Sequence, residues 1–218
     1  AMADLSDLTQ GLILYSHADD HLSHRIRLAL QFKELRFDSR LVDEQYPDLP
    51  VLNPYQTLPV LIDRELRLYE TRLILDYLDE RYRHKRLLAD TPAHRAEYRQ
   101  YAWRIEKDWL RAADRLLHNP QLDVTLQAAI RQSLQESLTS LNPLFARYPY
   151  FLQDEFGLCD CLLAPLLWRL PQLGITLSPL HDQALLAYCQ RLFKQPYFQL
   201  SLTPQERTLA PVWTRSPL

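Results

Sequence analysis

Gly11-Leu12-Ile13-Leu14-Tyr15 is a short apolar run that gives way to the polar stretch Ser16 to Asp20, after which Ile26, Leu28, Ala29, Leu30 and Phe32 recur at helical spacing. This predicts a strand followed by a helix. Arg36 to Val42 sets Phe37, Leu41 and Val42 among polar residues and reads as a second strand, and Tyr46 to Pro54 as loop and short helix. Leu58-Pro59-Val60-Leu61-Ile62, the turn-like Asp63-Arg64-Glu65 and Leu66-Arg67-Leu68-Tyr69 predict a hairpin. Glu70-Thr71 then opens a helix with Leu73, Ile74, Tyr77 and Leu78 on one face. The expected order is β-α-β followed by β-β-α.

Beyond the charged connector from Arg81 to Thr91 the period is helical throughout. Tyr98, Tyr101, Ile105, Trp109, Ala112 and Leu116 step by three or four, as do Leu126, Ile130, Leu134, Leu138, Leu141 and Phe145, and two long helices are expected. Leu158 to Trp168 is apolar nearly all round, the pattern of a buried central helix, and a last helix is expected over about Asp182 to Phe193. An α/β domain over residues 1–83, with structure from about residue 11, is therefore expected to join through a connector, 84–91, to an all-helical domain over 92–218. The tail from Pro204, and above all beyond about Arg207, has no period and is expected to be loosely ordered.

With 47% hydrophobic and 24% charged residues, the composition is that of a globular protein. No segment approaches the roughly 20 uninterrupted apolar residues of a membrane helix. The first residues have no signal-peptide pattern, so a cytoplasmic location is expected. A formal net charge of -2 argues against a general polyanion binder, and three glycines leave no phosphate-cradling loop and no nucleotide cofactor to expect. Cys159, Cys161 and Cys189 do not make a disulfide framework and read as buried, reduced thiols. His17, His21 and His24, with Asp19 and Asp20 between, have ligand-like spacing, but this is also the composition of a turn entering a helix, and no metal is expected.

Leu58-Pro59, the hairpin after it and Glu70-Thr71 together resemble the cis-proline loop and helix start of glutathione transferases. The resemblance implies a transferase-like fold: an N-terminal thioredoxin-like domain and a C-terminal helical domain. It also implies a glutathione groove, in which the backbone of Leu58 would meet the cysteinyl part and Glu70 and Thr71 the γ-glutamyl end. The plainer reading is that Pro59 is architectural and Thr71 caps a helix. Aligning Ser23 to Arg27 with the family's first helix puts Asp20 at the catalytic position, Ser16 and Ser23 being displaced from it. A carboxylate there would raise a thiol's pKa, the reverse of what the chemistry needs. In Phe156-Gly157-Leu158-Cys159-Asp160, Gly157 stands where the family's helix-start signature has a hydroxyl N-cap.

A narrower likeness is carried by Asn53-Pro54, Asp63-Arg64-Glu65-Leu66, Tyr77-Leu78-Asp79-Glu80-Arg81, Arg104-Ile105-Glu106-Lys107-Asp108-Trp109, Asp154-Glu155-Phe156 and the run Ala164 to Ile175, with its Trp-Arg-Leu-Pro-Gln-Leu-Gly. These resemble the bacterial stringent starvation protein A family. That implies a non-catalytic transferase scaffold, a homodimer, and association with RNA polymerase holoenzyme, core and sigma factor, in stationary phase and stress. The family's partner pocket includes a Pro-His-Pro turn, matched here by Arg83, His84 and Lys85, of which only the histidine agrees. The run Arg81 to Arg86 fits an acidic protein surface or a solvated link, and direct DNA contact is not expected. The alternatives are a glutathione-dependent transferase or thiol reductase, and a small-acid sensor using the vestigial groove.

Overall fold

The computed structural model describes residues 11–211. These fall into two compact units, one taking in the described chain up to Arg86 together with Pro196–Arg207, the other Leu87–Gln195 together with residues 208–211.

In the first unit the elements are β1 (Leu12–Ser16), α1 (His21–Phe32), β2 (Phe37–Leu41), α2 (Leu49–Leu52), β3 (Val60–Asp63), β4 (Leu66–Leu68) and α3 (Thr71–Arg81). The sheet order is β2-β1-β3-β4, with β1 and β2 parallel and the other pairs antiparallel. Parallel neighbours need a crossover, and α1 supplies it. Leu12, Leu14, Tyr15 and Ser16 of β1 are all buried, as a strand covered on both faces requires, whereas β2 is an edge strand with Asp38 to Leu41 exposed. Tyr15 pairs with Val60, which brings the cis Leu58–Pro59 peptide level with the end of β1 and the loop entering α1. Pro59 precedes the first residue of β3, where its missing N–H costs the ladder nothing. Tyr15, Leu49, Leu58 and Val60 close a small core beneath α2, and Ile26, Leu30, Ile74 and Leu78 are fully shielded.

The second unit holds α4 (Pro92–Ile105), a π-helical segment Glu106–Leu110, α5 (Arg111–His118), α6 (Val124–Thr139), α7 (Asn142–Arg147), α8 (Leu158–Trp168), α9 (Leu170–Leu173) and α10 (Gln183–Phe193). The π segment overlaps the string Arg104 to Trp109 and runs on to Leu110, and no feature of the apolar period marks it. The helix expected from Leu126 through Phe145 is in fact two, because Pro143 in the first turn of α7 cannot continue α6. Phe145 then stacks on Tyr188, with ring centroids 3.8 Å apart. Every residue of α8 is buried, as its pattern predicts.

At the head of α8, Asp160 is fully buried and accepts from Phe151 N–H, Gly157 N–H and the Tyr188 hydroxyl at 2.9, 2.9 and 2.6 Å. Burial pushes its carboxyl up to about 6 in spite of those three donors. Gly157 fits because a Cβ there would overlap the Gln153 amide nitrogen and lie 3.1 Å from both the Leu87 carbonyl oxygen and the Tyr98 hydroxyl.

The chain after Gln195 departs from expectation. Pro196–Ser201 forms α11, and Pro204–Arg207, where the loosely ordered tail was expected to begin, forms α12; both are part of the first unit. Phe198 lies against His24 and Tyr197 against Phe32, with ring centroids 5.4 and 5.3 Å apart. Glu206 is wholly buried and receives Arg27 Nη2 at 2.7 Å, while Thr203 and Glu206 cap α12 reciprocally, at 3.0 and 3.1 Å. The loosely ordered tail is thus corrected as far as Arg207; residues 208–211 lie in no helix or strand, and residues 212–218 lie outside the described residues.

Candidate functional site

The residues expected to line a glutathione groove belong to the first unit and sit at element ends. Asp20 is the N-cap of α1, its Oδ1 accepting Leu22 N–H at 3.1 Å, and its Oδ2 is 3.5 Å from the Ser23 hydroxyl. Glu70 is the N-cap of α3, with Oε2 accepting Arg72 N–H and Leu73 N–H at 2.8 and 3.1 Å. Thr71 is buried, and its hydroxyl oxygen accepts from Arg25 Nη1 at 3.2 Å. Leu58 is buried before the cis bond to Pro59. The open N–H groups at a helix start are a natural place for a ligand carboxylate. Here the chain's own Glu70 occupies two of them, so a ligand carboxylate would have to displace it.

The second cluster is the turn after α3. Lys33, the C-cap of α1, is buried and points its ammonium at the Asp79 carboxylate at 2.9 Å and at the carbonyls of Tyr82 and Lys85 at 2.8 and 3.2 Å. An ammonium has three donors, and each has an acceptor here. Arg86 approaches the other oxygen of Asp79 at 3.4 Å. Tyr77 and Tyr82 both donate to Asp63 Oδ2, at 2.6 and 2.8 Å. Burial and that carboxylate push the Tyr77 phenol up to about 12, and Tyr82 moves the same way for the same reasons. The backbone of the turn is thereby fixed from beneath. Arg83, His84 and Lys85 are exposed above it, with Lys85 Nζ 3.0 Å from Glu34 Oε1 and His84 Nε2 3.2 Å from Glu34 Oε2.

The N-terminal domain model of glutathione S-transferases matches residues 10–80. Among solved structures, a glutathione S-transferase from Sinorhizobium meliloti superposes with a TM-score of 0.77 at 25% identity, covering 94% of this chain and 99% of that one. The chain therefore has the glutathione-transferase-like fold, thioredoxin-like and then helical. Among curated proteins, the stringent starvation protein A homolog of Haemophilus influenzae is 37% identical over 203 residues, which is 92% of this chain and 94% of that protein. This chain belongs to the stringent starvation protein A family. A more distant relative, glutathione S-transferase GstB of Escherichia coli, is 31% identical over 71% of this chain and 81% of its own length.

Within this member of the stringent starvation protein A family, the structure brings Arg83, His84 and Lys85 together in one turn, sets Leu58 and Pro59 just before β3, and puts Asp20 at the start of α1 and Glu70 and Thr71 at the start of α3. The histidines go different ways. His17 Nδ1 accepts Asp19 N–H at 3.1 Å, and His24 is wholly buried, with Nε2 2.9 Å from the Ser201 hydroxyl and Nδ1 3.7 Å from Glu206. Lys33, Glu34, Asp63 and Asp79 were missed as parts of the turn, because each lies in another element and reads locally as surface charge. Thr203-Pro204-Gln205-Glu206 did carry a signal for the buried Glu206, a capping box with proline at the first helical position.

Proposed function

We propose that this protein is a non-catalytic, RNA polymerase-associated regulator of transcription in stationary phase and stress, acting in the cytoplasm as a homodimer that binds the holoenzyme stoichiometrically. The observation that carries the reading is the turn Tyr82 to Arg86. The resemblance matches it to the family's partner pocket, its backbone is anchored by buried Lys33, and Arg83, His84 and Lys85 are exposed on it. A dimer presenting two such turns can touch sigma factor and core together, and linked contacts multiply affinity without any bond being made or broken.

Charge at the groove opposes catalysis. Asp20, at the position matched to the transferases' catalytic group, would oppose a thiolate, and Glu70 and Thr71 spend their polar groups on Arg72, Leu73 and Arg25. The second reading, a glutathione-dependent transferase or thiol reductase, is favoured by the cis Leu58–Pro59 bond and by the likeness to GstB. One experiment separates them. Tagged protein exposed to a stationary-phase extract is expected to retain polymerase subunits and, when purified, to pass through immobilised glutathione without turning over an electrophile. Retention on glutathione with turnover that Thr71→Ala removes, and no polymerase subunits in the pull-down, would establish the second reading.

A further inference from the structure

The two residues paired across the turn both occupy backbone conformations that favour glycine. Glu34 has φ 58 and Lys85 φ 54, in the left-handed region that a Cβ makes costly. Glu34 is the residue after the C-cap of α1 in a Schellman motif, with Leu35 N–H on Leu30 O at 3.1 Å and its own N–H on Gln31 O at 3.0 Å. Glycine, or sometimes asparagine, is the usual occupant there. The ion pairs Glu34 makes do not explain its presence as a stabiliser, because its side chain is 63% exposed and that of His84 70%, and exposed pairs add little and are screened by salt.

What Glu34 does is occupy cations. One carboxylate oxygen takes Lys85 and the other His84, and those two hydrogen bonds hold its carboxyl below the usual range, so it stays ionised. Lys33 and Arg86 are committed to Asp79. Arg81, stacked on Tyr82, and exposed Arg83 have no acidic partner among the described residues. A short basic turn with its own exchangeable carboxylate is matched to another carboxylate-bearing chain. It is not the extended cationic stripe that a phosphate backbone requires.

We infer that Glu34 is a built-in competitor for the acidic segment of a protein partner: it holds Lys85 and His84 in the free protein and is displaced when the partner's carboxylates bind the turn, Arg81 and Arg83 making the first contact. The inference rests on the partner role proposed for this turn. It adds the chemistry that the turn reads and the group that restrains its affinity.

The test uses hexaglutamate, blocked at both ends, as a probe of the full-length protein at about 50 mM salt, where exposed charges are weakly screened. Glu34→Gln should bind it about two- to fivefold more tightly than wild type, the size of one exposed pair. Glu34→Gly, which suits the backbone, should repeat the gain. High salt should erase it, as should combining either substitution with Arg83→Ala, His84→Ala and Lys85→Ala. Equal affinity of wild type and both Glu34 variants, binding by none of them, a gain that survives loss of the three cations, or a gain confined to a DNA duplex would each overturn the inference. Holoenzyme binding measured in parallel keeps the two ideas apart. A peptide gain with no holoenzyme binding sinks the polymerase reading and leaves the competitor standing; holoenzyme binding that needs the three cations but ignores Glu34, with no peptide gain, does the reverse.

Discussion

Lys33 Nζ stands 2.9 Å from Asp79 Oδ1 with both side chains shielded from water, tying the end of α1 to the end of α3, and the same ammonium holds the carbonyls of Tyr82 and Lys85. Removing one member of a buried pair costs about 3–5 kcal/mol where the other charge is left without a partner. Arg86, 3.4 Å from the other Asp79 oxygen, stays in place, so Lys33→Met should lower stability toward the lower end of that range, about 3 kcal/mol, in urea unfolding. Lys33→Arg should recover only part of it, because a planar fork cannot reproduce three converging donors. A loss within error for Lys33→Met would mean the turn is not held from beneath.

Glu206 and Arg27 make the equivalent clamp between α12 and α1, 2.7 Å apart, with Arg27 Nε also donating to the Ser201 carbonyl at 3.1 Å. Glu206→Ala should destabilise by about 3–5 kcal/mol. It should also raise amide exchange in α11 and α12 above that in β1. A loosely attached segment would show fast exchange there already in the wild type.

The Asp160 carboxyl titrates at about 6 in the folded protein, against 3.8 as the ordinary value, because it is buried. The folded state holds that proton more tightly than the unfolded state does. The resulting stability is present in full below the unfolded value and is lost as pH rises through about 6. Asp160→Asn removes this dependence and also sets an N–H against the Gly157 N–H. It should be the less stable protein throughout, by a margin wider near pH 4 than near pH 7.5. Melting curves at the two pH values check this, and a margin that widens as pH rises would contradict it.

Gly157→Ala should cost about 1–3 kcal/mol, the range for overpacking a filled site. The Gln153 side chain can swing away, but the Leu87 carbonyl at 3.1 Å belongs to the backbone. Gln153→Ala, by clearing the flexible neighbour, should return part of that loss in equilibrium unfolding.

The order of elements was legible wherever the apolar period was long or unbroken: β1 from Leu12 to Tyr15, and α8, whose all-round apolar sequence leaves no solvent face. The break before α7 was legible too, in Asn142-Pro143, but the regular spacing of Leu138, Leu141 and Phe145 ran across it. Glu70 and Thr71 could be placed at a helix start, since capping chemistry is local. Lys33 could not be placed, because its burial depends on Asp79, 46 residues away, and an isolated lysine after an apolar run reads as surface. Glu34 and Lys85 escaped for a related reason: their left-handed backbones carry neither glycine nor asparagine, the residues that advertise that conformation.

The central claim is that the turn Tyr82 to Arg86 on this scaffold binds RNA polymerase, and the most direct measurement is the affinity of the purified protein for purified holoenzyme. Wild type is expected to bind saturably, and Arg83→Ala, His84→Ala and Lys85→Ala together to weaken binding by about tenfold or more while leaving the melting temperature nearly unchanged. Equal affinity of wild type and the triple variant, or no binding by either, would contradict the account.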